Sequence, residues 1–310
     1  MHTPVLLKEA IEGLNVRQNG LYIDATVGEG GHLFEITKRG GKALGIDWDE
    51  KQINRLNVIL GRSESDDSRI VVNNNDSGQV FRQAQDTEQS RSAGMTNNII
   101  LVQGNFADIE EIAKKNKFYP VDGVIFDLGL SMGQIDNSKR GFSYNNLAER
   151  LDMRLDSRLK TTAADLINSL NQDQIYEILA RYGEEINSLA ISRALVRARS
   201  LKKIKTVGDV VKIIDRAIEK KDKRTYARVF QALRIAVNNE LKNLKKGLEG
   251  TLKITKKDGR IVVISFHSLE DRIVKQFIKQ NNLRQMHKKV IKSNYEKVFE
   301  RSAKLRIIER

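Results

Sequence analysis

Three glycines within four positions, Gly28-Glu29-Gly30-Gly31, follow the apolar run Leu21-Tyr22-Ile23 and precede a helical pattern from His32. Glycine at such a junction means that the backbone turns tightly or lets another group come close. The flanks supply the context. Residues 21–26 read as a buried strand, 32–38 as a helix, 42–47 as the next strand and 50–60 as the next helix. This is the βαβ rhythm of a parallel sheet. Open sheets of this kind bind ligands beyond the carboxyl ends of their strands. The residues just after each strand are therefore the ones to weigh.

Asp47 ends the second strand about twenty residues after the glycines, where an acid grips ribose hydroxyls. Glycine loop and acid together indicate a nucleoside cofactor. A dinucleotide fingerprint needs a third glycine, and Leu33 stands in its place. Asp24 and Glu29 would also repel a pyrophosphate unless paired, which argues against a nicotinamide-dependent dehydrogenase. S-adenosylmethionine has no phosphate and carries a sulfonium and an ammonium, so acidic groups suit it better. No Gly-Lys-Ser/Thr follows the loop, which excludes a P-loop.

The remaining strand ends give further candidates. Residues 99–102 read as a strand followed by Asn105-Phe106, and 108–117 as a helix. On spacing alone Phe106 packs on an adenine or sits in the core, with equal weight. Residues 121–128 read as a strand with Asp127 at its end and Ser131 and Gln134 beyond. A carboxylate ending a buried strand is paired or functional. If the acceptor is an amine, Asp127 and Ser131 are candidates to orient it and take its proton. Residues 260–266 read as a central strand. His267 after it is a base, a phosphate contact or a structural hydrogen-bonder. Ser268-Leu-Glu-Asp271 has capping-box spacing, and residues 304–308 read as an edge strand. No His, Asp or Glu cluster has metal-ligand spacing, so no metal is expected.

Residues 61–98 are polar and aperiodic and read as a surface insertion, mobile or disordered. Residues 133–144 read as a loop, and 148–224 show helical patterns without a strand. From Phe230 to Leu252 one apolar stripe predicts a single long helix. The expected organisation is an α/β sheet domain, 1–134 with 225–310, and an inserted helical subdomain, 135–224, for substrate recognition. A net charge of +14 favours a polyanionic partner such as nucleic acid. Arg193, Arg197, Arg199, Lys202, Lys203 and Lys205, and the basic tail from Lys288 to Arg306, are candidates to neutralise phosphates. The chain has no cysteine. With no signal-like N-terminus and no apolar run of about 20 residues, a cytoplasmic protein without membrane contact is expected.

The chain resembles the bacterial 16S ribosomal RNA cytosine-N4 methyltransferases, the RsmH (MraW) family. The resemblance rests on Pro4-Val-Leu-Leu7, Asp24-Ala-Thr-Val-Gly28-Glu-Gly-Gly-His32, Gly104-Asn-Phe106 and Asp127-Leu-Gly. It continues through Arg140-Gly-Phe-Ser143, Leu151-Asp-Met-Arg154, Tyr182-Gly-Glu-Glu185 and Phe230-Gln-Ala-Leu-Arg-Ile235. Ser265-Phe-His-Ser-Leu-Glu-Asp-Arg272 and Arg301-Ser-Ala-Lys-Leu-Arg306 complete it. It implies a class I (Rossmann-like) methyltransferase fold, S-adenosylmethionine as donor, and the N4 of a decoding-centre (P-site) cytosine in the small ribosomal subunit as acceptor. Carried over, the cofactor contacts are Gly30, Gly31, His32, Asp47, Phe106, Asp127 and Gln134. The sequence departs from the family at Ser131-Met132-Gly133-Gln134, where Ser-Ser-Pro-Gln is usual, and in a longer 61–98 stretch. That departure motivates an alternative, an RNA-binding ribosome-assembly factor with weakened catalysis.

Overall fold

The structure, a computed structural model, describes residues 4–61, 70–72, 98–130, 134–135, 138–287, 289–292 and 302–310. The chain divides into two compact units, Met1–Gly129 with Lys242–Arg310, and Leu130–Leu241.

The first unit is built on a nine-stranded sheet. Its strands are β1 (Leu21–Asp24), β2 (Lys42–Asp47), β3 (Ile70–Val72), β4 (Ile99–Gln103), β5 (Val121–Asp127), β6 (Thr255–Ser265), β7 (Arg284–Gln285), β8 (Ile291–Lys292) and β9 (Lys304–Glu309). The order is β3-β4-β2-β1-β5-β6-β9-β7, with β8 also on β9. Strands β1 to β6 pair in parallel, whereas β9 is antiparallel to β6, β7 and β8. The order reverses between β1 and β5, which makes their carboxyl ends the switch point. Helices α1 (Leu7–Leu14), α2 (Gly31–Lys38), α3 (Glu50–Ile59) and α4 (Ile109–Lys115) accompany the first half of the sheet. Leu14 and Ile11 of α1, Leu33 and Ile36 of α2, and Ile53 and Leu56 of α3 are buried in one core.

Several expectations are corrected here. Between Gly61 and Asn98 only Ile70–Val72 is described, and it is a strand that extends the sheet beyond β4. The rest of that expected insertion lies outside the described residues. Residues 304–309 do not form an edge strand: β9 lies between β6 and β7, and Leu305, Ile307 and Ile308 are buried. Asp258-Gly259 does not precede β6 but lies within it. The pairing steps from Val121↔Thr255 to Gly123↔Arg260, and a bulge at 256–259 absorbs the difference, with Asp258 at φ 64°.

The second unit is helical: α5 (Ala163–Ser169), α6 (Gln172–Gly183), α7 (Ser188–Leu201), α8 (Val207–Ile218) and α9 (Lys223–Asn238). Thr162, Asn171 and Thr206 each start a helix with a capping box, an arrangement that contributes about 1 kcal/mol per cap. The expected single helix across 230–252 is two, α9 and α10 (Glu240–Ile254), because Asn239 adopts the left-handed conformation at φ 51°. The boundary expected at 224/225 falls instead at 241/242. Side chains of α9 explain the shift. Arg228 Nε bonds Glu185 at 2.6 Å, Gln231 donates to the Tyr182 carbonyl, and the buried Asn238 bonds the backbone of Met153 and Leu155. The other boundary lies at 129/130 rather than 134/135.

Candidate active site

The glycine loop is stitched to both strands beside β1. Ala25 N–H donates to the Ile125 carbonyl and Val27 N–H to that of Ile46. Asp127 N–H donates to Thr26 Oγ1 at 2.6 Å, and Gly28 N–H to Asp47 Oδ2 at 2.8 Å. Gly28 and Gly30 have φ of 49° and 86°, a region that side-chain-bearing residues rarely adopt. At Gly31 a Cβ would lie 2.1 Å from Pro4 Cγ. The N-terminal segment therefore occupies the space a side chain would need there. The loop offers a ligand its backbone, at the uncapped N-terminus of α2.

Around that backbone stand three acids from three strand ends. Asp24 ends β1, Asp47 ends β2 and Asp127 ends β5. Burial pushes the Asp24 carboxyl up to about 8, with the Asp127 and Asp47 charges adding to the effect. Burial likewise raises Asp47 to about 6 and Asp127 to about 7. Asp24 accepts the Thr26 N–H through Oδ1, while its buried Oδ2 has no partner. Asp47 accepts two backbone N–H groups, from Gly28 and Asp49. His32 is buried, its Nδ1 lies 3.8 Å from Asp127 Oδ2, and its Nε2 also lacks a partner. Burial lowers His32 to about 4, so the ring is neutral at physiological pH. Among the described residues the group thus has no cation beside it: a cluster of carboxylates raised by burial, with two orphan polar atoms, suits a positively charged ligand.

The other expected residues distribute differently. Phe106 is in the core, edge-on to Trp48 at 5.1 Å and to Phe126 at 5.8 Å between ring centroids. Gln134 is buried and belongs to the second unit. Ser131 lies outside the described residues. His267 is the N-cap of α11 (Ser268–Gln280), and its partner in the capping box is Glu270. The box therefore starts one residue earlier than the expected Ser268–Asp271. His267 Nδ1 accepts the Glu270 N–H and Nε2 lies 3.1 Å from Glu270 Oε1, so both ring nitrogens face that one residue. Trp48, Thr26 and Glu270 were not singled out from the sequence. Trp48 and Thr26 adjoin Asp47 and the loop, and their position beside those motif residues was the available signal. Glu270 needed the true register of the cap.

Parallel strands ordered around a glycine-loop switch point, with one antiparallel strand between the last two, define a Rossmann-like methyltransferase. The chain belongs to the MraW methylase family, whose model matches residues 1–95 and 69–310. It is 36% identical over 331 residues to the ribosomal RNA small subunit methyltransferase H of Cytophaga hutchinsonii, covering all of this chain and 99% of the relative. The protein of the same name from Coprothermobacter proteolyticus is 37% identical, covering 100% of this chain and 96% of its own length. That from Symbiobacterium thermophilum is 40% identical over 89% of this chain and 78% of its own.

Proposed function

We propose that this chain transfers a methyl group from S-adenosylmethionine to the exocyclic N4 of a decoding-centre (P-site) cytosine in the 16S rRNA of the small ribosomal subunit, in the cytoplasm. The observation that carries the reading is the acid cluster at the switch point, which among the described residues has no cationic partner. Bound S-adenosylmethionine supplies a methyl group activated by a sulfonium, and its charge matches Asp24 and Asp127. Backbone amides of Gly31 and His32 would hold the carboxylate end at the α2 N-terminus, while the Gly30 N–H is committed to the Val27 carbonyl and that residue contributes its turn. Asp47 accepts from the ribose hydroxyls while it keeps its bonds to Gly28 and Asp49. Phe106 supports the adenine side through the core it shares with Trp48.

At the acceptor, Asp127 would orient the cytosine amine and take the proton released as the nitrogen–carbon bond forms and the methyl carbon–sulfur bond breaks, with the neutral thioether as leaving group. Its elevated proton affinity, about 7, suits a base near neutral pH. The neutral His32 beside it leaves that carboxylate uncompensated until substrate arrives. The target base must leave its stack to reach such a pocket. The helical unit is the RNA-recognition element of the reading, and Gln134 lies near its start; Ser131 is a second candidate to orient the amine.

The test is methyl transfer to small subunits from a strain lacking this modification, followed by nucleoside mass analysis. N4-methylcytidine at one decoding-centre position is expected. Its absence, with cofactor bound and subunits competent, overturns the reading. Titration with NAD in parallel should give no binding, since a pyrophosphate would face Asp24.

A further inference from the structure

The charge of the helical unit is unevenly placed. From Ile186 to Lys205 the sequence holds six cations, Arg193, Arg197, Arg199, Lys202, Lys203 and Lys205, and no carboxylate. They do not have equal roles. Arg199 is half-buried, and its guanidinium donates to the carbonyls of Ile167 and Leu170, fixing α7 to α5. Lys202 lies close enough to Asp209 to lower that acid's proton affinity. Arg193, Arg197 and Lys203 are exposed, and among the described residues none has a carboxylate within ion-pair distance.

Arg193 and Arg197 are one turn apart, so they share a face of α7. Like charges at that spacing weaken a helix unless a counter-charge arrives. The other side of the helix is committed, with Ile191, Ser192 and Leu195 buried. The same outer face is flanked by two apolar side chains left in water, Ile186 before the helix and Leu201 at its end, each 86% exposed. Several surface cations elsewhere in the chain do have carboxylate partners. On α10, Lys246 pairs with Asp108 and Lys253 with Glu110, and in the β6 bulge Lys256 pairs with Asp122.

We infer that the outer face of α7, from Arg193 to Lys203, is a docking surface for the sugar–phosphate backbone of structured RNA. The inference rests on the proposed function for its partner but concerns a surface apart from the acid cluster. The two guanidiniums contact phosphates on one strand, and Lys203 reaches a further phosphate past the helix end. Ile186 and Leu201 cover sugar faces beside them. A face of this composition positions the RNA without reading its bases.

The experiment compares the wild type with the triple variant Arg193→Ala/Arg197→Ala/Lys203→Ala. Binding to intact small subunits and to protein-free 16S rRNA is measured across a salt series, with methyl transfer and S-adenosylmethionine affinity alongside. Each lost phosphate contact should lower the slope of log affinity against log salt by about 0.7–0.9. The variant should therefore lose about two units of slope and bind both RNA forms about tenfold or more weakly near 0.1 M salt. KM for subunits rises, whereas cofactor affinity, kcat at saturating subunits and the melting temperature stay put. The control Lys246→Ala/Lys253→Ala should leave the slope unchanged.

Unchanged affinity and slope in the triple variant overturn the inference while leaving the methyltransferase reading intact. Weaker binding to subunits with unchanged binding to protein-free RNA assigns the face to an acidic protein and also overturns it. Failure of the wild type to methylate any subunit overturns the functional reading instead, and the salt series on naked RNA then still decides the fate of the α7 face.

Discussion

The strand-end acids and the α7 cations are both sets of like charges that lack an opposite charge among the described residues, but they differ in burial. Asp24 and Asp47 are buried and Asp127 is partly buried, so each ionised form is costly unless a cation or hydrogen bonds replace the lost hydration. Arg193, Arg197 and Lys203 remain solvated, and their mutual repulsion is screened within about 10 Å at ordinary salt. A buried unpaired charge therefore specifies one small ligand at one place. A face of exposed unpaired charges, as proposed for α7, suits a polymer, through many weak and salt-dependent contacts.

The sharpest way to break that contrast is at Asp127. Asp127→Asn keeps the shape and removes the base, so kcat should fall by about 10²–10⁴-fold, with a smaller change in cofactor affinity. Single-turnover methyl transfer reads the difference, and unchanged turnover would remove Asp127 from the chemistry. Asp47→Ala comes next. It deletes the ribose acceptor and the anchor of Gly28 N–H together, and S-adenosylmethionine affinity measured by calorimetry should drop about 100-fold.

Asp24→Asn should separate stability from function. A carboxyl whose folded-state proton affinity lies above its unfolded value of 3.8 stabilises the fold fully below that pH. It loses this contribution as the pH rises through about 8. The unliganded variant should thus melt roughly 2–4 °C higher than wild type at pH 8 and show little gain at pH 5, while binding cofactor about tenfold more weakly. Equal melting curves at pH 8 would mean that Asp24 is not held protonated by its surroundings.

The same proton affinities predict that cofactor binding to the wild type strengthens between pH 6 and 8 and releases protons. Calorimetry in two buffers of different ionisation enthalpy reads that release directly. The smallest effect belongs to the paired surface cations. Lys246→Ala should move the melting temperature by about 1 °C or less, because an exposed ion pair contributes little.

The functional half of this contrast was legible in the sequence to different depths. Asp24, Asp47 and Asp127 could be read because strand, loop and acid follow one another at short range. Where an element's place depends on distant partners, the reading failed. Residues 304–309 have the short apolar pattern of an edge strand, and only pairing with β6 on one side and β7 and β8 on the other makes β9 internal. The apolar stripe runs on from α9 into α10, and a single left-handed residue, Asn239, divides them. Phe106 was undecidable from spacing because its edge-on neighbours Trp48 and Phe126 come from two other strand regions. His267 stayed open between base, phosphate contact and structural hydrogen-bonder because it follows a strand, and its cap depends on a box shifted by one residue.

The sheet is assembled in an order the chain does not follow. Strand β5 ends at Asp127, and its neighbour β6 begins only at Thr255. During synthesis at about 5–20 residues per second, β5 waits on the order of 10 s with one edge open. It is an apolar edge in the middle of the finished sheet, with Val124, Ile125 and Phe126 destined for full burial. Exposed edges of that kind recruit foreign strands. The helical unit is made during this interval, so the nascent chain passes through a stage in which its helices exist before the sheet is closed.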